Sequence, residues 1–223
     1  MAHKKQGYRF EDDWTVEELK TFEANWNEAV TVPVNIEIEA EHRVLNFEKV
    51  KEYLNNAKLI AHLDCFCREK RHNCDAPSDV CIYFDERAEL ALNSEDFKWR
   101  NPKKVDVDVA LDALKRSHEA GLVHMAYAYG DDDINLICSC CSCCCEVLSG
   151  ILRFGLAPHL LSSGIVSVTD SELCNDCGDC VERCQFGARE IVNESMVFNI
   201  ELCFGCSLCV STCPTNAITL VDK

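Results

Sequence analysis

Eight cysteines toward the C-terminal end of the chain fall into two runs of identical spacing. Each run has the pattern C-x2-C-x2-C-x3-C, and every cysteine of the second run lies 29 positions after its counterpart in the first. The runs are Cys174, Cys177, Cys180, Cys184 and Cys203, Cys206, Cys209, Cys213. Two-residue gaps let a loop curl around a common centre, and the fourth thiol follows one helical turn later. This spacing indicates thiolates that bind the four iron corners of a cubane cluster.

The segment from about Ile165 to Lys223 resembles a two-cluster bacterial-type ferredoxin domain, in which Pro214 also fits the family pattern. The resemblance implies two [4Fe–4S] clusters whose fourth ligands are exchanged between the runs. The first cluster is expected on Cys174, Cys177, Cys180 and Cys213, and the second on Cys203, Cys206, Cys209 and Cys184. Gln185 departs from the pattern, because the first run of such domains usually carries proline there.

Strand patterns surround these cysteines. IVSVT is expected as an entry strand, the stretch through Asn193 to Ser195 as a central hairpin, and AITLV as a closing strand. Zinc is disfavoured, because a triple C-x2-C-x2-C in both halves is foreign to zinc modules. Disulfides are disfavoured as well, since the first residues lack the apolar region of a secretory signal.

Charge and composition bear on several classes of function. The chain has 22 basic and 38 acidic residues, a formal net charge of −16, which argues against binding to nucleic acid. The acidity favours docking to basic patches on redox partners, although ordinary solubility explains it equally well. The sequence contains no run of eighteen apolar residues, so it predicts no transmembrane segment. Eighteen cysteines without a signal peptide predict the reducing cytoplasm of an anaerobe.

Ten further cysteines form two upstream blocks, and each block follows a predicted helix and strand. The strands read LIAHL before the first block and INLIC into the second. His62 and His124 lie in apolar strands near these blocks and are expected as core histidines rather than cluster ligands. The first block contains Cys65, Cys67, Cys74 and Cys81, and the second Cys138, Cys140, Cys141, Cys143, Cys144 and Cys145.

The second block reads CSCCSCCC, and an extended chain points neighbouring side chains to opposite faces. We therefore expect Cys138 and Cys140 on one face, and Cys141, Cys143 and Cys145 on the other. Because one ion cannot collect all six thiols, the two blocks are predicted to pool their ten cysteines for one or two further iron–sulfur clusters. Structural zinc and free thiols stay open as alternatives.

Basic residues lie inside the first block, at Arg68, Lys70, Arg71 and His72. Positive charge at this point stabilises thiolates or an anionic cluster. A solvated basic loop is the competing interpretation.

The upstream motifs together resemble a family of cysteine-rich iron–sulfur proteins of anaerobes that end in the same two-cluster ferredoxin domain. The motifs are VPVNIEIEAEHRVL, the CFCR block, EAGLVH and CSCCSCCCEVL. The resemblance implies an iron–sulfur protein but brings no defined substrate or partner. A weaker likeness to the cysteine-pair motif of heterodisulfide reductase catalytic subunits implies no chemistry, because Glu146 stands where that motif has glycine.

These patterns predict an α+β protein with a cysteine-rich α/β domain followed by a two-cluster ferredoxin-like domain. We expect an N-terminal amphipathic segment at 1–31, the cysteine-rich domain at 32–164 and the ferredoxin domain at 165–223. Apolar residues of the first segment recur at helical spacing, and we expect them to pack on the main domain rather than dock a partner. They are Phe10, Trp14, Leu19, Phe22 and Trp26.

Motifs for nucleotides, flavins or serine and cysteine nucleophiles do not occur in the sequence. We therefore predict an electron carrier, or an electron-transfer subunit of an oxidoreductase, that relays low-potential single electrons through its clusters. Its partner is expected to be an oxidoreductase or a flavoprotein. Two alternatives stay open: a reductase that acts on a small disulfide or thiol compound at an upstream cluster, and a redox or oxygen sensor.

Overall fold

The computed structural model describes residues 4–23, 29–32, 47–128, 134–156, 161–162 and 164–223. Most of the VPVNIEIEAEHRVL motif lies outside these residues, as does Trp26. Helices and strands are mixed along the chain, as expected for the α+β class. The helices are α1 Val16–Glu23, α2 Phe47–Asn56, α3 Phe66–Arg71, α4 Glu86–Asn93, α5 Val107–Glu119, α6 Glu146–Leu152 and α7 Asp179–Arg183.

The strands form one large sheet and two small ones. In the large sheet they are β1 Ala29–Val32, β2 Ile60–Asp64, β3 Asp79–Phe84, β4 Lys103–Val105, β5 Val123–Ala128, β6 Ile134–Cys140 and β7 Leu161–Ser162. The small sheets contain β8 Ile165–Thr169, β9 Arg189–Val192, β10 Ser195–Phe198 and β11 Ile218–Asp222. The predicted entry, hairpin and closing strands of the ferredoxin-like region are thus present.

The large sheet has the order β4-β2-β3-β6-β5-β1-β7, and its described pairs are antiparallel except β1 with β7. Because β3 runs against both of its neighbours, β2 and β6 run in the same direction on either side of it. Their C-terminal ends therefore lie at one edge of the sheet, where β3 begins. Both upstream cysteine blocks start at this edge.

The two faces of the sheet are covered differently. One face packs against α2 and α5, with Val50, Leu54 and Leu114 buried among sheet residues such as Ile82 and Ile137. Asp106 caps α5 by accepting a hydrogen bond from the Val109 amide at 3.1 Å. The opposite face carries the alternate positions of β6, and its buried residues include Leu136 and Cys140. Strand alternation thus places apolar side chains under the helices and thiols on the other face.

The ferredoxin-like region is built from two short antiparallel pairs. β8 pairs with β11, and β9 pairs with β10. The β9–β10 turn places Asn193 and Glu194 at φ 52° and 67°, the left-handed conformation of a two-residue type I′ hairpin. The cysteine runs occupy the connections between these strands.

The N-terminal segment packs on the sheet domain, as expected. Trp14 and Leu19 are buried, and the Trp14 indole Nε1 donates a hydrogen bond to the Cys144 carbonyl at 2.9 Å. The expected helical spacing is wrong for Phe10 and Trp14, which precede α1. The Asp13 carboxylate accepts hydrogen bonds from both of their amides, so the chain turns before the helix begins. The Phe22 side chain lies outside the described structure.

A buried ion pair fastens this segment. The Arg153 side chain has 0% exposure and the Asp13 side chain 6%. Arg153 Nη1 donates to Asp13, and Nη2 donates to the other carboxylate oxygen at 2.7 Å. Arg153 Nε also donates to the Ser142 carbonyl at 3.2 Å. The pair therefore connects the N-terminal segment to the second cysteine block.

We predict that Asp13→Ala lowers the free energy of unfolding by about 3 kcal/mol or more, because it leaves the Arg153 charge buried without its partner. Urea unfolding of the anaerobic protein, followed by circular dichroism, measures the change. Asp12→Ala is the matched control, because Asp12 is exposed and its loss is expected to change stability by about 0.5 kcal/mol at most. Equal unfolding midpoints for both variants would contradict the prediction.

Candidate metal centres

Two cavities in the ferredoxin-like region are lined by the cysteines of the double run. The empty volumes are about 310 Å³ and 320 Å³. In each cavity three cysteines come from one run and the fourth from the other run. The first is lined by Cys174, Cys177, Cys180 and Cys213, and the second by Cys203, Cys206, Cys209 and Cys184. The structure thus brings together the quartets of the crossed arrangement, and their role as cluster ligands stays a prediction.

Local backbone geometry supports thiolates in both cavities. The fourth cysteine of each run accepts a backbone hydrogen bond at its sulfur. The Ala217 amide donates to Cys213 Sγ and the Ala188 amide donates to Cys184 Sγ, both at 3.3 Å. The Ser167 amide donates to Cys203 Sγ at 3.4 Å. Amide hydrogen bonds to sulfur stabilise an anionic cluster and tune its reduction potential. Four thiols with amide donors around a small cavity fit a [4Fe–4S] cluster.

The two quartets differ in exposure. Cys177 in the first quartet is exposed, whereas all four cysteines of the second quartet are buried. Burial raises the pKa of Cys206 well above its ordinary value. Cys184, Cys203 and Cys206 pack in the same buried cluster as the cysteine-bearing face of the large sheet. The first quartet therefore lies toward solvent and the second toward the sheet domain.

Arg189 lies between the two quartets and is buried. Its guanidinium donates to Thr169 Oγ1 and Ser167 Oγ, both at 2.8 Å. Burial raises the pKa of Cys180 in the first quartet and of Cys209 in the second, and the Arg189 charge opposes both shifts. One guanidinium thus offsets negative charge from both sides.

Six upstream cysteines form a closed ring, which we call the six-cysteine ring, in which each thiol interacts with the thiols of two others. The members come from the ends of β2 and β6, the beginnings of α3 and β3, and the residue before α6. Around the ring the order is Cys65, Cys67, Cys145, Cys140, Cys138 and Cys81. The structure therefore brings the two sequence blocks together, as the pooling hypothesis requires.

The pKa shifts alternate around the six-cysteine ring. Hydrogen bonds from Cys67 and Cys81 lower the pKa of Cys65, and those from Cys140 and Cys81 lower that of Cys138. Burial raises the pKa of Cys145, but hydrogen bonds from two neighbours outweigh it and bring the value to about 6. The pKa values of the three intervening cysteines are raised. Interactions between neighbouring thiols therefore favour the thiolate, the form that binds metal, at part of the ring.

A large cavity opens beside the six-cysteine ring. Its empty volume is about 1750 Å³, part of it open to solvent, and it is lined by all six ring cysteines. Its wall carries charge of both signs, and the buried member of the set is Arg100; the basic residues are Lys70, Arg87 and Arg100, and the acidic ones Glu17, Glu18 and Asp96. Burial raises the pKa of Glu146, also in the wall, to about 8. The space is more than five times that of either ferredoxin cavity.

The remaining four cysteines form a separate group, which we call the close quartet. It contains Cys74, Cys141, Cys143 and Cys144. All four Sγ atoms lie within 4.8 Å of one another, and Cys74 Sγ is 3.7 Å from Cys141 Sγ and 3.8 Å from Cys144 Sγ. Hydrogen bonds from its neighbours lower the pKa of Cys141 well below its ordinary value. All eighteen cysteines are described in the structure, and none forms a disulfide.

The expected division of the second block into two faces holds for Cys141 and Cys143, which lie together in the close quartet, but is wrong for Cys145. β6 ends at Cys140, and the chain then turns, with the Cys145 amide donating to the Cys141 carbonyl at 3.0 Å. The turn brings Cys145 to the six-cysteine ring beside Cys138 and Cys140, and it brings Cys144 to the close quartet. Asn73 Nδ2 stabilises the turn by donating to the Cys143 carbonyl at 2.9 Å. This contact lies 70 positions away in the sequence, so local spacing could not predict it.

The basic residues of the first block divide between two roles. Arg68 is buried, donates to Cys141 Sγ at 3.6 Å and to the Ser139 carbonyl at 2.7 Å, and offsets thiolate charge as expected. Lys70 and Arg71 pair with Glu18 of α1, and His72 is exposed. No sequence motif contains Arg100, which donates to the Tyr83 hydroxyl at 2.7 Å. Only the packing of the sheet places it in the cavity wall.

His124 is buried, and its Nδ1 lies 3.0 Å from Ser139 Oγ. Burial lowers the pKa of His124 to about 3, so the ring is neutral at physiological pH. Both observations agree with the expected core histidine.

Gln185 joins the ferredoxin-like region to the sheet domain. Its Oε1 accepts hydrogen bonds from the amide and the hydroxyl of Ser142, at 3.1 Å and 2.8 Å. Its Nε2 donates to the Gly121 carbonyl at 2.9 Å. The departure from the usual proline therefore supplies a contact beside Cys184 that proline cannot make.

We predict that Gln185→Pro destabilises the contact between the ferredoxin-like region and the sheet domain by about 1–3 kcal/mol of free energy, because the buried Ser142 amide loses its acceptor. Amide hydrogen exchange around Ser142 is then expected to rise by about tenfold or more. Glu190→Ala, at an exposed position of the same region, is the matched control. Unchanged exchange around Ser142 in the Gln185 variant would count against the contact.

Comparison with known proteins agrees with the C-terminal geometry. Residues 173–218 match the 4Fe-4S dicluster domain family. No curated protein matches the chain. Within the described residues, no helix is both long enough and apolar enough to cross a membrane. The matched segment contains the cysteines that line both small cavities. The chain therefore has a C-terminal ferredoxin-type domain, of the kind that binds iron–sulfur clusters of the 4Fe-4S type.

Proposed function

We propose that the protein transfers single electrons between an external redox partner and a cluster at the six-cysteine ring, through two [4Fe–4S] clusters in the ferredoxin domain. One observation carries the proposal: the thiol sites follow one another from the surface inward. The exposed quartet of Cys177 comes first, the buried quartet of Cys206 second, and the ring lies in the same buried cluster as the latter. A bound [4Fe–4S] cluster supplies the one-electron chemistry.

The protein contributes rigid connections between successive sites. Cys184 and Cys213 each leave one cysteine run to line the cavity of the other, so the two sites share their backbone supports. Arg189 lies between them. On the inner side, the rings of Phe186 and Phe204 pack with centroids 4.8 Å apart beside the second quartet. Such packing excludes water and keeps the distances between sites constant.

Polar contacts join the ferredoxin-like region to the rest of the chain. Arg183 donates to the carbonyls of His118 and Glu119 at 2.8 Å and 2.9 Å, at the end of α5. Lys4 donates to the Glu182 carbonyl at 3.1 Å and lies near the thiols of Cys184 and Cys143. These contacts hold the second quartet against the upstream cysteines. A fixed arrangement of this kind suits a relay more than a freely moving ferredoxin domain.

The surface around the first quartet suits a basic redox partner. Glu172, Asp176 and Asp179 are exposed beside its cysteines, and Leu173 adds an exposed apolar side chain. Acidic surfaces accelerate encounter with positively charged partners, an effect that salt weakens. We therefore place the entry or exit of electrons at this quartet.

Counts of iron and acid-labile sulfide in the full-length anaerobic protein test the relay. Two cubanes supply about eight iron atoms per chain, and we expect iron and sulfide above this number because the ring binds a further cluster. Cys81→Ser is expected to remove the additional iron and sulfide and to leave the ferredoxin electron paramagnetic resonance signals. Cys177→Ser, the matched control, is expected to alter the ferredoxin signals and to retain the additional iron.

Iron near eight atoms per chain in the wild-type protein would remove the upstream cluster from the proposal. Absence of sulfide would overturn the electron-transfer function altogether.

The large cavity favours a second candidate function, a reductase. All six ring cysteines border a space far larger than the cavities of the ferredoxin quartets, and the buried Arg100 lies in its wall. A small disulfide compound with a negatively charged group suits this buried guanidinium. Reduction of its S–S bond consumes two electrons, delivered one at a time through the ferredoxin domain, and two protons, and it yields two thiols.

We expect an anionic disulfide to reoxidise the chemically reduced protein faster than a cationic disulfide of the same size, because the buried Arg100 places its positive charge in the cavity wall beside Cys81 and Cys138. Stopped-flow absorbance of the clusters measures both rates. Cys81→Ser is expected to lose this preference, since the ring cluster no longer faces the cavity. Equal rates for the two disulfides in the wild-type protein would exclude the reductase.

A further inference from the structure

The close quartet of Cys74, Cys141, Cys143 and Cys144 differs in spacing from the other thiol groups. Its four sulfurs lie within 4.8 Å of one another, and among the described residues no other group of potential metal ligands is brought this close together. In neither ferredoxin quartet do all four sulfurs come within this distance of one another, although each quartet lines one cavity. The chain therefore builds two kinds of four-thiol site, one wide and one narrow.

The narrow spacing matches a single metal ion. Four sulfurs at about 2.3 Å from one tetrahedral metal lie about 3.8 Å from each other. The distances from Cys74 Sγ to Cys141 Sγ and Cys144 Sγ are 3.7 Å and 3.8 Å. Thiolates at the corners of a cubane stand further apart, because each binds a different iron.

We propose that the close quartet binds one divalent metal ion in tetrahedral tetrathiolate coordination, the geometry that zinc or a lone iron ion adopts. This site goes beyond the electron-transfer function and does not rest on it. With four thiolate ligands the coordination is complete, so no position is open for a substrate.

Groups around the quartet support this occupancy. Four thiolates and a divalent ion carry a net charge of about −2. Arg68 donates to Cys141 Sγ at 3.6 Å and offsets part of this charge. Asn73 donates to the Cys143 carbonyl and Trp14 to the Cys144 carbonyl, both at 2.9 Å. These contacts fix the backbone that carries the ligands, as the second shell of a structural metal site does.

The position of the quartet indicates what the ion does. It connects the loop after α3, which carries Cys74, to the turn between β6 and α6. The same turn delivers Cys145 to the six-cysteine ring. A metal ion here stabilises the turn, and with it the ring, while taking no electrons itself when the ion is zinc.

Metal analysis of the full-length anaerobic protein tests the proposal, together with X-ray absorption at the zinc edge. We expect about one zinc per chain, bound by four sulfurs at about 2.3 Å. If the ion is iron, we expect no zinc and an isolated high-spin ferric resonance after mild oxidation. Cys74→Ala is expected to lose at least nine-tenths of either signal, whereas Cys177→Ser, a matched control in the ferredoxin domain, retains it.

The wild-type measurement decides the question even where Cys74→Ala fails to fold. A wild-type protein with neither zinc nor the isolated ferric signal overturns the proposal, and so does zinc bound by nitrogen or oxygen. Either result leaves the sulfide content unchanged. Failure of the electron-transfer proposal appears instead as missing sulfide, so the two outcomes are distinguishable.

Discussion

The upstream centres depend on the direction of three neighbouring strands. β2 and β6 run the same way on either side of β3, so the end of both strands and the beginning of β3 meet at one edge. Cys65, Cys81 and Cys138 stand at this edge, although they are widely separated in the sequence. Reversal of any one strand would send its cysteine to the far edge of the sheet. Antiparallel pairing is thus what turns two cysteine blocks into shared sites.

The turn after β6 divides the thiols between these sites. Cys143 and Cys144 belong to the close quartet and Cys145 to the six-cysteine ring, because the backbone reverses there and α6 begins immediately afterwards. Contacts from distant parts of the chain hold the turn: Asn73, Trp14 and Arg153 all donate to its carbonyls. The N-terminal segment therefore has a structural part in the metal centres, since Trp14 and Asp13 both act on this turn.

The ferredoxin domain contacts the sheet domain on the side of its buried quartet, Cys184, Cys203, Cys206 and Cys209. Gln185, one residue after Cys184, bonds to Ser142 of the turn and to Gly121 after α5. The same face of the molecule thus links the second quartet, the close quartet and the six-cysteine ring. The first quartet, with the exposed Cys177, lies toward solvent. In the proposed electron transfer, the exposed quartet is therefore the outermost site and the six-cysteine ring the innermost.

The sequence by itself determined the parts whose geometry is local. The double C-x2-C-x2-C-x3-C run and its flanking strands follow from spacings of a few residues, and the structure contains them. The division of the ten upstream thiols into six and four was decided by the tertiary structure alone. It depends on strand order and on a turn held by residues as distant as Trp14 and Asn73, and an extended-chain pattern therefore misplaced Cys145. Metal binding depends on the distances between sulfur atoms in the folded chain, and the order of cysteines in the sequence does not determine these distances.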